Sequence, residues 1–150
     1  MELKQKVTGK KHILIVDDDE QILIVWRGAL QVYADAVDIA VAGDGLSALQ
    51  LFQEHNFDLL VTDIRMPVMD GYELTRSVRQ VNQNLAIIWI TAMTNHECGF
   101  IENQLNVMQC LLKPLSIAQI RQVVADALHL PYDASLNVLP QSACCRPTAG

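Results

Sequence analysis

Four apolar runs in the sequence end in residues whose side chains can bind a cation or react. In chain order these residues are Asp17 with Asp18, Asp63, Thr91 and Lys113. Carboxylate oxygens are the ligands that Mg²⁺ and Mn²⁺ prefer, and a hydroxyl and an ammonium can donate hydrogen bonds to a phosphate. An aspartate held beside such a cation can attack a phosphoryl group and become an acyl phosphate. The pattern therefore predicts a divalent-cation site with phosphoryl chemistry at Asp63, provided that the four runs converge.

The spacing of the apolar residues predicts how these runs are arranged. Continuous apolar stretches are typical of strands buried on both faces, and the segments between them carry apolar residues at helical spacing. The predicted strands are 13–16, 37–42, 59–63, 85–90 and 108–112. Because each is followed by a predicted helix, we expect an α/β fold with a five-stranded parallel sheet and helices on both faces. The carboxyl ends of parallel strands share one edge, where open α/β sheets bind ligands.

The predicted helices vary in the strength of their signal. Three follow the first three strands, and Ser116 is expected to cap a strongly periodic last helix. The segment 96–105 is a weaker helix candidate. Arg76 and Arg79 are expected on a solvated face of the third helix, whereas Trp26 and Trp89 are expected in or near the core.

Length, composition and charge narrow the class of protein. With 150 residues, 51% of them hydrophobic, the chain suits one folded domain. Its formal net charge of −6 offers no basic surplus to neutralise nucleic-acid phosphates. No apolar run approaches the ~20 residues of a membrane span, and the N-terminal residues lack the apolar stretch of an export signal. We therefore expect a cytoplasmic protein without nucleic-acid or membrane partners.

The four cysteines favour free thiols. Cys98, Cys110, Cys144 and Cys145 form no C-x-x-C pair, and the last two are neighbours that cannot readily bridge each other. A reducing cytosol is the simplest setting for such a pattern.

Four motifs together resemble the receiver domain of bacterial response regulators. They are Ile-Leu-Ile-Val-Asp-Asp-Asp from residue 13, Asp-Leu-Leu-Val-Thr-Asp-Ile-Arg-Met-Pro-Val-Met-Asp-Gly from residue 58, Ile-Thr-Ala from residue 90 and Leu-Leu-Lys-Pro from residue 111. Thr-Ala or Lys-Pro alone is weak evidence, but all four motifs in this order and spacing are highly specific. The resemblance indicates a receiver domain at 12–130, which leaves an N-terminal leader at 1–11. Residues 131–150 contain three prolines and no periodicity, and we interpret them as a C-terminal tail.

The resemblance implies a flavodoxin-like sheet of strand order 2-1-3-4-5 and a phosphoacceptor that is not an enzyme in its own right. Asp63 would accept the phosphoryl group from the phosphohistidine of a histidine kinase or a phosphotransfer protein. Mg²⁺ would be held by Asp18 and Asp63, by Asp17 largely through water, and by the backbone carbonyl of Arg65. Thr91 would donate a hydrogen bond to the phosphoryl oxygens, and Lys113 would pair with them.

Three further features follow from the same resemblance. The small side chain of Ala92 would keep the approach to Asp63 open. Arg65, at the mouth of the site, would tune the lifetime of the phosphoryl group. The Lys113–Pro114 peptide bond would be cis, a conformation largely confined to bonds before proline.

The sequence departs from the receiver pattern at Cys110. Receivers usually carry Tyr or Phe three residues before the strand-five lysine, and that ring fills the space left when the strand-four hydroxyl moves toward the phosphoryl group. Cys110 is too small for this, and Asn106-Val107 replaces the usual Gly-Ala before the strand. We expect phosphorylation to be retained and its propagation to be altered. Cys110 itself is interpreted as a small buried hydrophobe without a redox role.

The leading hypothesis is a phosphorylation switch that acts on an unidentified protein target, with no DNA-binding output domain in this chain. One alternative is a phosphorylation-independent binding module, which Cys110 favours. Another is a Mg²⁺-dependent aspartyl phosphatase similar to the haloacid dehalogenases. Asp17-x-Asp19 fits the start of the dehalogenase motif, but Gln21 does not fit it and Asp63 is left without a role. The oligomeric state stays open, a homodimer included.

Overall fold

A computed structural model of the chain describes residues 9–92 and 104–132. It contains one sheet of five parallel strands in the order β2-β1-β3-β4-β5. The strands are β1 (Lys11–Val16), β2 (Val37–Ala42), β3 (Leu59–Asp63), β4 (Ala86–Thr91) and β5 (Gln109–Leu112). Both the parallel sheet and its flavodoxin-like order are therefore confirmed. β2 forms one edge, and β1, β3 and β4 lie inside.

Four helices connect or follow these strands within the described residues. They are α1 (Glu20–Ala29), which continues as a 3₁₀ turn (Leu30–Tyr33), α2 (Gly45–Glu54), α3 (Gly71–Val81) and α4 (Ile117–Leu128). Each begins after a side chain that accepts a hydrogen bond from a backbone N–H of the first turn; these caps are Asp19, Asp44, Asp70 and Ser116. Ser116 and Gln119 form a reciprocal capping box, as short polar residues at helix starts commonly do. The helix expected at 96–105 falls almost entirely outside the described residues.

The sheet separates two apolar cores. On one face, the odd-numbered residues of β1 pack with α1 and α4 around Trp26 and Ile120. On the other face, the even-numbered residues of β1 pack with α2 and α3 around Trp89 and Leu74. The alternation of side chains along each strand assigns them to one core or the other. Helices on both faces and core positions for both tryptophans are thus confirmed.

The structure corrects the expected exposure of Arg79. Arg76 is exposed, but Arg79 is half-buried at the end of α3. Its guanidinium donates hydrogen bonds to the carbonyl oxygens of Asn82 at 3.1 Å, Leu105 at 2.8 Å and Asn106 at 2.9 Å. The segment that leads into β5 passes over this end of α3, so a position that looks solvated along the helix is covered by a distant part of the chain.

The free-thiol interpretation is wrong for Cys110, which is disulfide-bonded in the structure. Cys110 lies in β5, is half-buried and faces the same core as Trp89. The other three cysteines lie outside the described residues. Of the helices formed by residues 9–92 and 104–132, none is long and apolar enough to cross a membrane.

Candidate functional site

The carboxyl ends of β1, β3, β4 and β5 bring the predicted side chains to one edge of the sheet. Asp17 follows β1 directly and is 2% exposed, and Asp63 is the last residue of β3 and is 6% exposed. Thr91 ends β4 and is also buried, whereas Lys113 follows β5 with partial exposure. The parallel register aligns these ends, with Asp63 opposite Ile90 and Thr91 opposite Leu112.

Lys113 joins two of the acids. Its Nζ lies 3.0 Å from Oδ2 of Asp63 and 3.1 Å from Oδ2 of Asp17. Its backbone N–H donates to the carbonyl oxygen of Thr91, which fixes the start of the segment after β5. One ammonium therefore partly neutralises two buried carboxylates. Without it, the two would repel each other strongly, because the effective dielectric constant of a buried site is low.

Asp17, Asp18 and Asp63 form the acid cluster. Each offers a carboxylate oxygen, and these three oxygens lie within 4.8 Å of one another; Asp18 is the exposed member. The Oδ1 atom of Asp17 accepts a hydrogen bond from the backbone N–H of Asp19. Asp19 caps α1, and its carboxylate is not among the three of the cluster.

The pKa values of the site reflect burial and crowding. Burial raises the pKa of the Asp17 carboxyl; the hydrogen bond from Asp19 opposes this rise and the charge of Asp63 adds to it. Burial lowers the pKa of the Lys113 ammonium, but hydrogen bonds to Asp63 and Asp17 outweigh burial, and the pKa is raised overall. The arrangement therefore favours the charged form of Lys113, whereas the negative charge of Asp17 is only partly neutralised.

The donor set fits a small divalent cation. The ammonium of Lys113 contacts two of the three carboxylates, so the cluster carries an excess of negative charge that a bound Mg²⁺ or Mn²⁺ would offset. All the side-chain donors are oxygens, and the exposure of Asp18 leaves a side open to water, which Mg²⁺ usually retains as a ligand.

The loop of residues 64–70 encloses the other side of Asp63. The backbone N–H of Arg65 donates to Oδ1 of Asp63 at 3.3 Å, so the backbone at Arg65 lies beside the carboxylate. Val68, at the exposed tip, has a φ of 72°, which is strained for a β-branched residue. The loop returns at Gly71, whose N–H donates to the carbonyl oxygen of Ile64.

Two glycines allow the loop to pack this closely. A Cβ at Gly71 would lie 2.4 Å from the carbonyl oxygen of Asp63, and a Cβ at Gly45 would lie 2.6 Å from the carbonyl oxygen of Met69. Both helices therefore begin against backbone that leaves no room for a side chain. Asp-Gly is a common turn dipeptide, but nothing in the sequence shows that Gly71 must also allow this close approach.

The remaining predicted residues lie around this centre. Ala92 follows Thr91 and is exposed, and the Lys113–Pro114 bond is cis, as the resemblance implied. Cys110 pairs in register with Trp89, two residues before Thr91 on β4. The sequence did not single out Thr75, a buried hydroxyl of α3 that accepts a hydrogen bond from Trp89. The only hint of Thr75 in the sequence is a threonine at an inward-facing position of the predicted third helix.

Known proteins resemble the chain along most of its length. The family model described as "response regulator receiver domain" matches residues 13–125. The chain is 38% identical over 140 residues to the sensor protein EvgS of Escherichia coli, a match that covers 85% of this chain and 11% of that protein. It is 30% identical over 116 residues to the transcriptional regulatory protein ZraR of Klebsiella oxytoca, with 77% of this chain and 26% of that protein covered.

A solved structure supports the same likeness. The chemotaxis response regulator CheY4 of Vibrio cholerae superposes with a TM-score of 0.72 at 26% identity, covering 79% of this chain and 98% of that one. By contrast, the chain spans only 11% and 26% of the two curated relatives.

Proposed function

The chain belongs to the response regulator receiver domain family, and from that premise we propose that Asp63 accepts a phosphoryl group from a phosphohistidine of a partner protein. An Oδ of Asp63 attacks phosphorus and forms the new O–P bond. The P–N bond to the histidine breaks, and its electron pair returns to the imidazole. The protein itself is the phosphoacceptor in this scheme, and it assists both this transfer and the later hydrolysis.

The observation that carries the proposal is the contact between Lys113 and Asp63. The ammonium lies 3.0 Å from Oδ2 of a buried carboxylate. From this position it can stabilise the negative charge that develops on the phosphoryl oxygens during transfer. Thr91, at the end of the neighbouring strand, supplies a hydroxyl for the same oxygens. Positioned charges and donors are what phosphoryl transfer mainly requires.

The acid cluster defines the proposed cation site. Asp17, Asp18 and Asp63, with the backbone carbonyl of Arg65, would hold Mg²⁺ or Mn²⁺. When bound, the cation supplies neutralisation of charge between the acids and the phosphoryl group. Asp63 keeps one oxygen for attack, Asp17 is held in place by the N–H of Asp19, and the small Ala92 leaves the approach open.

The direct test is transfer of a phosphoryl group to Asp63. The protein is incubated with Mg²⁺ and acetyl phosphate, and the label is read by intact mass and located by peptide mapping. We expect one phosphoryl group, lost with Asp63→Asn and retained with Asp35→Asn, a control at an exposed aspartate. Absence of label on the unmodified chain under these conditions would overturn the proposal.

One alternative keeps a specific observation in its favour. Cys110 stands where receivers usually carry an aromatic ring, and it is disulfide-bonded. A receiver that binds its target without phosphorylation is consistent with this feature. Unchanged binding of a target to Asp63→Asn would favour it.

The partners follow from the proposed reaction. A histidine kinase or a phosphotransfer protein would supply the phosphoryl group, and a protein target would read the modified state. A cytoplasmic location and a homodimer stay predictions of the same scheme.

A further inference from the structure

A buried hydrogen-bond chain connects β4 to the start of α3. Trp89 is fully buried, and its indole N–H donates to Oγ1 of Thr75 at 2.9 Å. Thr75 is also fully buried, and its hydroxyl donates to the carbonyl oxygen of Gly71 at 2.7 Å. An indole N–H can only donate and a hydroxyl can do both, so the direction of both bonds is fixed.

One end of this chain reaches the loop beside Asp63. Gly71 is the first residue of α3, and its N–H donates to the carbonyl oxygen of Ile64 at 2.8 Å. The position of a Cβ at Gly71 would be 2.4 Å from the carbonyl oxygen of Asp63. Any displacement of Gly71 therefore moves the loop of residues 64–70 against the backbone of Asp63.

The other end reaches the strand that carries Thr91. Trp89 lies two residues before Thr91 on β4, so the two side chains point to the same face of the sheet. The ring of Tyr72, in the first turn of α3, packs edge-on against Trp89 with centroids 5.0 Å apart. The hydrogen bond and the ring contact both tie the first turns of α3 to β4.

The loop between Asp63 and Gly71 needs such an anchor. Val68 is held at a φ of 72°, a conformation that is unfavourable for a β-branched residue and persists only where the surroundings enforce it. If α3 could shift, the loop would relax, and the backbone of Arg65 would move away from the carboxylate of Asp63.

We propose that Thr75 and Trp89 are positioning residues of the acid cluster: their hydrogen bond fixes Gly71, and Gly71 fixes the loop that presents Arg65 to the cation. The inference rests on the proposed function for its cation site, but it concerns different residues. Neither Thr75 nor Trp89 touches the reacting atoms, and both act through the backbone of the loop.

The test compares two variants that break the hydrogen bond with one that keeps it. Thr75→Val preserves shape and removes the hydroxyl, Trp89→Phe removes the N–H, and Thr75→Ser retains the hydroxyl. Binding of Mn²⁺ alone is measured by the decrease of the free Mn²⁺ signal in electron paramagnetic resonance. We expect roughly tenfold weaker binding for Thr75→Val and Trp89→Phe, the size typical of lost outer-shell support. Thr75→Ser should bind as the unmodified chain does.

A second readout follows the loop without any metal. Amide hydrogen exchange of Gly71, measured by NMR, should be roughly tenfold faster in Thr75→Val, equivalent to about one hydrogen bond of local stability. The amides at the centre of β1 should exchange at an unchanged rate. A uniform acceleration over the whole protein would mean that the bond serves stability alone and would overturn the proposal.

The outcomes separate this inference from the proposed function. A folded Thr75→Val with unchanged Mn²⁺ affinity and unchanged Gly71 exchange rules out the positioning role, whatever Asp63 does. If that single variant does not fold, the double variant Thr75→Val/Trp89→Phe removes both polar groups and leaves no buried N–H without a partner. Its Mn²⁺ affinity then decides. Failure of the unmodified chain to accept a phosphoryl label while Mn²⁺ still binds counts against the proposed function alone.

Discussion

Lys113 Nζ lies 3.0 Å from Oδ2 of Asp63, although β4 lies between β3, which ends at Asp63, and β5, which precedes Lys113. The long lysine side chain crosses the carboxyl end of β4 to reach both Asp63 and Asp17. In the absence of a cation, its ammonium partly neutralises both acids. The stability of the metal-free protein should therefore depend on it.

Lys113→Met is expected to lower the free energy of unfolding of the metal-free protein by about 3 kcal/mol, because it leaves two buried carboxylates unpaired. Excess Mg²⁺ should recover part of the loss. Urea unfolding in EDTA and in Mg²⁺ measures both values. Lys10→Met is the matched control, since Lys10 pairs with Asp38 at an exposed surface and should change stability by less than about 1 kcal/mol. Equal losses for the two lysines would contradict the prediction.

Asp17→Asn is expected to stabilise the metal-free protein at pH 7 by about 1 kcal/mol. Burial raises the pKa of Asp17 in the folded state. A raised pKa means that stability is present below the unfolded-state pKa of about 3.9 and is lost as the pH rises through the folded-state value. Thermal unfolding in EDTA from pH 4 to pH 7 should show this decline for the unmodified chain and a flatter profile for Asp17→Asn. A variant that is no more stable at pH 7 would refute the account.

The contribution of Lys113 to the stability of the protein changes only at alkaline pH. Burial lowers its pKa, but hydrogen bonds to Asp63 and Asp17 raise it further than burial lowers it. The contribution is therefore complete below the unfolded-state pKa of about 10.4 and is lost as the pH rises through the higher folded-state value. The decline predicted for Asp17 between pH 4 and pH 7 should therefore contain no contribution from the titration of this lysine.

Gly71→Ala and Gly28→Ala form a matched pair with opposite expected effects. A Cβ at Gly71 would meet the backbone of Asp63 and Ile64, so the substitution should cost about 2 kcal/mol or more. A Cβ at Gly28 would meet nothing within 4 Å inside α1, so alanine should stabilise the helix by about 0.5–1 kcal/mol. Urea unfolding measures both, and a destabilised Gly28→Ala would show that the helix face needs the glycine.

Arg65→Ala tests the role proposed for the residue at the mouth of the site. Arg65 is exposed beside Asp63, and removal of its long side chain should admit water more readily to the phosphoryl group. Hydrolysis of the phosphorylated protein, followed by intact mass, should be roughly threefold faster, which corresponds to about 0.7 kcal/mol in the barrier. Arg76→Ala, an exposed arginine on α3, is the control. Equal hydrolysis rates for Arg65→Ala and the unmodified chain would rule out a role of Arg65 in the lifetime of the phosphoryl group.

The sequence predicted the sheet because its signals are local. The short, continuous apolar run before Asp63 is typical of a strand buried on both faces, and the alternating run at 37–42 lies at the edge, where one face is less covered. Once the strands are parallel, their ends must meet, so the convergence of Asp17, Asp63 and Lys113 follows from topology. Helix starts were equally local, since Ser116 and Asp19 cap the helices that they precede.

The remainder could not be predicted because it depends on contacts between distant segments. The hydrogen bond between Trp89 and Thr75 joins a strand to a helix, and neither residue type predicts a contact with the other. The positive φ of Val68 has no signal in a β-branched residue. The disulfide of Cys110 depends on how the chain brings two sulfurs together, which cysteine spacing alone does not reveal.

Arg79 gives the sharpest test of such a contact. Its guanidinium bonds to three carbonyl oxygens and holds the end of α3 against residues 105 and 106, where Asn106 has a φ of 58°. Arg79→Ala should lower the free energy of unfolding by about 2 kcal/mol, and Arg79→Lys should recover little, because an ammonium cannot span three acceptors as the planar fork does. Arg76→Ala, three residues earlier on the exposed face, should be neutral. Because residues 105 and 106 lead into β5, local hydrogen exchange at Val107 and Met108 should rise in Arg79→Ala; unchanged exchange there would mean that the guanidinium is not what holds this segment.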